Sequence, residues 1–93
     1  MVGFAVVGLG MGRGRAKLVT QTEGARLVCV CDLHEELARE VGEELSCDWT
    51  TSLDDTLARD DVDAVLVMTP SGLHAKIGVQ VARAGKHVVT TKP

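Results

Sequence analysis

Apolar runs and apolar periods alternate along this chain from end to end. Val2 to Val7 is an apolar run broken only by Gly3, as expected of a strand buried on both faces. Arg15 to Gln21 reads as a first helix, and Arg26 to Cys31 as a second buried strand ending at Asp32. From Glu35 to Leu45, Leu37, Val41 and Leu45 recur every fourth residue with glutamates on the other side, which predicts an amphipathic helix. Asp48 to Thr50 is a short third strand. Ser52, with Asp55 three residues on, caps a short helix through Ala58. Val62 to Met68 is the fourth and most apolar strand. Thr69-Pro70-Ser71-Gly72 is a turn, with Ser71 as the cap of a helix that carries Leu73, Ile77, Val81 and Ala84 on one face and stops at Gly85. Lys86 to Thr91 completes a fifth strand.

Strands and helices in alternation with short connections imply an α/β fold, a doubly wound parallel sheet covered by helices. Such sheets bind ligands at the carboxyl ends of their strands. The loops at those ends are Gly8 to Gly14, Asp32 to His34, Thr69 to Gly72 and Thr91 to Pro93, which should converge on one crevice. The 93 residues amount to at most one domain, with a small core. An apolar fraction of 45% excludes a disordered chain. A formal net charge of −3 argues against nucleic acid as the main partner, and one Phe, one Trp and no Tyr leave little to stack on bases. No apolar run approaches the roughly 20 residues of a membrane span. The start, Met-Val-Gly-Phe, has no basic region and reads as a strand, not a signal peptide. Three cysteines, an odd number, point to reduced thiols and a cytoplasmic setting.

The chemistry centres on Gly8-Leu9-Gly10-Met11-Gly12-Arg13-Gly14, placed between the first strand and the first helix. Glycines there allow a sharp turn and close approach of backbone to an anion, and the helix N-terminus offers free N–H groups to a pyrophosphate. The spacing departs from G-x-G-x-x-G because the sixth position is Arg13, so a variant loop path is expected. Arg13, Arg15 and Lys17 crowd the expected helix start, where cations oppose the helix dipole unless an anion faces them; a solvated basic helix start is the alternative. Asp32 lies 24 residues after Gly8. A carboxylate at that point accepts from both ribose hydroxyls of NAD and repels the 2′-phosphate of NADP, and neither Leu33 nor His34 supplies a counter-cation. Asp32 can equally cap the following helix.

The remaining candidates are weaker. Cys29 and Cys31 share a strand face and, with Asp32 and His34, faintly resemble a metal cluster; buried small side chains are the favoured reading, and no metal is expected. Cys47 is alone. His74 sits in the first turn of the last helix, for packing or positioning more than proton transfer. His87 reads as structural and His34 as the rim of the adenine side. Lys92 follows the fifth strand at the catalytic edge of the sheet, where a lysine can hydrogen-bond a substrate hydroxyl or help move its proton, or can simply be solvated.

Taken together, these stretches resemble the N-terminal domain of the glucose–fructose oxidoreductase / inositol dehydrogenase (Gfo/Idh/MocA) family. The resemblance is carried by Val6-Val7-Gly8-Leu9-Gly10-Met11-Gly12, Val30-Cys31-Asp32, Val62-Asp63-Ala64-Val65-Leu66-Val67, Thr69-Pro70-Ser71-Gly72-Leu73-His74, Ala84-Gly85-Lys86-His87-Val88-Val89 and Lys92-Pro93. The run from Asp63 to Pro93 is the most specific. The resemblance implies a Rossmann-type domain over residues 1–93, incomplete at about five strands. It also implies an NAD(P)-dependent dehydrogenase acting on a sugar, cyclitol or related polyol, with a homo-oligomeric whole protein. A stand-alone nucleotide-binding or sensor module is the rival from another class. By resemblance, Lys92 lies near nicotinamide and substrate and assists catalysis, and the Thr69-Pro70 turn passes along the cofactor. Thr91 stands where the family usually has Glu, which removes a carboxylate beside the cofactor. In the family a second α/β domain follows, with the oligomer interface and usually an Asp and a His that handle the substrate proton; the 93 residues are therefore expected to be a fragment without activity of its own. The expected cofactor-binding set is Gly8, Gly10, Met11, Gly12, Arg13, Asp32, Leu33, Thr69, Pro70, Ser71 and His74, with NAD favoured over NADP and Lys92 catalytic.

Overall fold

A computed structural model describes residues 1–90, and the side chains of all of these except 71, 72 and 74. The element order is β1 (Val2–Val7), α1 (Leu9–Thr20), β2 (Ala25–Cys31), α2 (Glu35–Leu45), β3 (Asp48–Thr50), α3 (Leu53–Leu57), β4 (Ala64–Val67), α4 (Ser71–Arg83) and β5 (His87–Thr90). The five strands form one sheet in the order β3-β2-β1-β4-β5, and every pairing is parallel. The chain thus starts at the sheet's centre, steps outward to β3, and returns past β1 to β4. The strand order reverses between β1 and β4, and ligands of open parallel sheets bind at such a point.

Each face of the sheet has its own core. On one side Val6, Leu27, Val30, Leu66 and Met68 pack with Leu9, Ala16 and Val19 of α1 and Ala38 and Val41 of α2. On the other, Ala5, Val7, Cys29, Cys31, Val65 and Val67 pack with Val81 of α4, flanked by Leu53, Leu57 and Ile77. The alternation of strand side chains explains the division. A β-bulge in β2 resets it. Phe4 pairs with Leu27 but Ala5 with Cys29, so Val28 is the extra residue, and Cys29 and Cys31 then share a face.

The main departure from the sequence reading is the first helix. It begins at Leu9, six residues before the expected Arg15. There is no variant loop: Gly10, Gly12 and Gly14 are helical. Glycine's low helix propensity conceals this in the sequence, and packing overrides it. A Cβ on Gly12 would lie 2.9 Å from Val6 Cγ1 and 3.0 Å from Met68 Cβ, so only glycine lets α1 lie this close to the sheet. Gly12 thereby fills the packing role expected of the displaced third glycine. The earlier start also removes the apparent conflict with the dipole. Lys17 falls in the last turn, where a cation is favoured. Gly12→Ala is expected to destabilise the domain by about 1–3 kcal/mol, the usual cost of overpacking, as read from denaturant unfolding.

Elsewhere the differences are small. Ser71 is the first residue of α4 and Pro70 holds the N-cap position, its backbone extended at φ −52° and ψ 148° and its carbonyl accepting from Leu73 N–H at 2.8 Å. Proline lacks an N–H, which costs nothing at a helix start. Gly85 has φ +80°, as the stop of α4 requires. All four residues of β5, including His87, are exposed.

Candidate functional site

The site is built by three strand ends. Beyond β1 the chain turns into α1 at Gly8, whose φ of +92° excludes other residues; a Cβ there would also lie 2.8 Å from Thr69 N. Beyond β2 come Asp32, Leu33 and His34, and beyond β4 come Met68, Thr69 and Pro70. With the cleft-facing side of α4 these segments enclose a cleft of about 610 Å3. Its lining includes Gly8, Gly10, Met11, Asp32, Leu33, Thr69 and Pro70 from the expected set, and also His34.

Two expected members do not join them. Gly12 is buried beneath α1. Arg13 is turned toward α2, where its guanidinium donates to Glu44 at 2.6 Å and lies 3.5 Å from Glu40. That correction has a simple cause: with the helix starting at Leu9, position 13 sits one turn in, on the flank facing α2. The side chains of Ser71 and His74, and all of Lys92, lie outside the described residues.

Backbone donors at the head of α1 can be accounted for one by one. Gly8 N–H donates to the Cys31 carbonyl at 2.9 Å, Leu9 N–H to Asp32 Oδ2 at 2.7 Å, and Gly12 N–H to the Gly8 carbonyl at 3.0 Å. The N–H groups of Gly10 and Met11 have no partner among the described residues, and both residues line the cleft. A Cβ on Gly10 would meet nothing within 4 Å. Free donors, a helix dipole and open space therefore coincide at this one spot, as an anion site requires.

Two further features ask for a ligand. Thr69 is 9% exposed, and its Oγ1 is buried without a hydrogen-bond partner among the described groups. A buried hydroxyl left unpaired costs about 1–3 kcal/mol, and a ligand oxygen in the cleft would satisfy it. Met11 and Leu33 are 62% and 85% exposed, large apolar surfaces at the cleft mouth. The donor set thus fits a dinucleotide: unpaired N–H groups for the pyrophosphate, a carboxylate for ribose and apolar walls for the bases.

Some lining residues escape the sequence reading. Leu73 and Ile77 read there only as members of the apolar face of α4; in the structure Leu73 is exposed and both line the cleft. Lys76 lies between them and also lines it, a cation not expected there. The available sign was an apolar pair one turn apart directly after the turn at the sheet's carboxyl edge. Of the cysteines, only Cys31 borders the cleft. Burial pushes the Cys29 and Cys47 thiols up to about 11 and raises Cys31 as well, which keeps them protonated and poor ligands. Among the described residues no three His, Cys, Asp or Glu side chains gather as a metal site, and no helix is long and apolar enough to cross a membrane.

Residues 2–93 match the Gfo/Idh/MocA oxidoreductase family, described as having an NAD-binding Rossmann fold. The chain belongs to this family. It is 41% identical over 99% of its length to a 2,7-anhydro-N-acetylneuraminate hydratase of Mediterraneibacter gnavus, covering 24% of that protein. It is 38% identical over 96% of its length to the scyllo-inositol 2-dehydrogenase (NAD(+)) of Bacillus subtilis, covering 27% of it. Among solved structures, GenD2 from gentamicin A biosynthesis, in complex with NAD, superposes with a TM-score of 0.94 at 38% identity, over 99% of this chain and 27% of that one. A 3-ketoreductase from Actinomadura kijaniata, in complex with NADP and TDP-benzene, superposes at 0.91 with 28% identity, over 99% of this chain and 29% of that one. The chain spans about a quarter of the length of the curated relatives it matches. The Rossmann fold, the NAD-binding family and its enzymatic character are therefore established; the family includes dehydrogenases of cyclitols.

Proposed function

We propose that residues 1–93 are the cofactor-binding portion of a cytoplasmic, homo-oligomeric oxidoreductase that takes NAD in preference to NADP. Its reaction moves a hydride between nicotinamide and a hydroxyl-bearing carbon of a sugar, cyclitol or related polyol. The observation that carries this reading is the meeting, in one cleft, of the unpaired Gly10 and Met11 N–H groups with the Asp32 carboxylate. The cofactor supplies the redox chemistry when bound. This chain's residues bind and orient it: Gly10 and Met11 hold the pyrophosphate, Asp32 accepts from the ribose hydroxyls, and Thr69 Oγ1 hydrogen-bonds a cofactor oxygen. A carboxylate offers roughly four acceptor positions, and protein donors use two of those on Asp32, so room for both hydroxyls remains. Lys92, which follows β5, is assigned the proton at the substrate hydroxyl. The relatives named as a 2,7-anhydro-N-acetylneuraminate hydratase and a scyllo-inositol 2-dehydrogenase support a sugar-like or cyclitol substrate.

Titrating both cofactors into the complete protein tests the preference. NAD is expected to bind more tightly, because a 2′-phosphate would meet the Asp32 carboxylate. Asp32→Ala should narrow the gap, weakening NAD and relieving the repulsion. Tighter NADP binding by the native protein would overturn the reading, and Lys76 would then be the cation to examine.

A further inference from the structure

Asp32, proposed above as a ribose ligand, also bonds to the main chain of α1. Helix α1 lacks a local N-cap: Gly8 at the cap position has no side chain, and its first turn contains no acidic residue. The missing acceptor comes from 23 residues away, as Asp32 Oδ2 accepts from Leu9 N–H at 2.7 Å. The other oxygen, Oδ1, accepts from His34 N–H at 2.9 Å, which fixes the carboxylate over the end of β2. The main chain beneath is tied down too, with Asp32 N–H on the Thr50 carbonyl and Gly8 N–H on the Cys31 carbonyl.

We infer that Asp32 is a positioning residue for the pyrophosphate site as well as a ribose ligand: its carboxylate is the N-cap of α1 and holds the Gly10 and Met11 N–H groups in their binding geometry. A carboxylate at a helix N-terminus is favoured by the dipole and by the charge-assisted bond it makes. Engaging Leu9 fixes the first turn while leaving the next two N–H groups free. The two halves of the dinucleotide site are thereby joined through one side chain. The inference rests on the cofactor reading above for its ligand, but the cap itself can be measured without one.

The decisive comparison is between the native complete protein and Asp32→Ala, with inorganic pyrophosphate as probe, since it has no ribose. Charge and position act in opposite directions here. Removing a negative charge next to the anion would tighten pyrophosphate binding. Losing the cap would weaken it, because an alanine accepts from neither the Leu9 N–H nor the His34 N–H. The expected result is an affinity about tenfold lower, the scale of a lost N-cap. In the ligand-free protein, amide hydrogen exchange at Leu9 should accelerate by a similar factor of about ten, while Val30 in the middle of the sheet is unchanged. Equal or tighter pyrophosphate binding, unchanged exchange at Leu9, or equal acceleration at Leu9 and Val30 would each overturn the inference. If the native protein binds neither NAD nor NADP, the cofactor reading fails, while the exchange comparison still decides the cap.

Discussion

Gly10→Val is expected to abolish dinucleotide binding and leave the domain folded. A Cβ at this position meets nothing within 4 Å, so the isopropyl group projects into open space in front of the α1 N-terminus. That space is where the pyrophosphate must approach the Gly10 and Met11 N–H groups. Losing about two charge-assisted hydrogen bonds lowers affinity by about a hundredfold or more. Stability should stay within about 0.5 kcal/mol of native, since valine is no worse than glycine in a helix and displaces no core atom. The contrast with Gly12 makes the test specific, because two residues further on in the same helix a Cβ would press on Val6 and Met68. Calorimetric titration with NAD and a thermal melt measure the two quantities. Native-like binding by Gly10→Val would show that the anion does not sit at this helix end.

Lys92→Ala in the complete protein is expected to lower kcat by about a hundredfold or more, the scale of losing a positioned proton-transfer group. NAD affinity should be nearly unaffected. The assignment comes from the resemblance of Lys92-Pro93 to the family pattern and from the place of the residue in the sequence, two positions after the last residue of β5. The cofactor contacts proposed above lie instead in the first turn of α1 and just after β2 and β4. Steady-state kinetics on a polyol panel and NAD titration separate the effects. An unchanged kcat would remove Lys92 from the chemistry, and loss of NAD binding would make it a cofactor ligand.

Local signals made much of this fold legible. The spacing of Leu37, Val41 and Leu45 defines α2 with its observed bounds, and Ser52 does accept from Asp55 N–H at 3.1 Å as the cap of α3. Both are interactions between residues a few positions apart. What the sequence conceals is long-range. Arg13 looks like an anion ligand until Glu44, 31 residues on, is seen to hold it. The start of α1 is hidden because its glycines are chosen by the sheet beneath and the space in front, not by helix propensity. Asp32 is identifiable as a ribose ligand from its place after β2. Its bond to Leu9, and a Thr69 hydroxyl without a partner among the described residues, emerge only when three loops are brought together.

The most direct measurement is a crystal structure of the complete protein with NAD bound. The pyrophosphate should accept from the Gly10 and Met11 N–H groups, the ribose hydroxyls should donate to Asp32, and Thr69 Oγ1 should gain a partner. A cofactor bound away from this cleft, or one whose ribose makes no contact with Asp32, would contradict the proposed site.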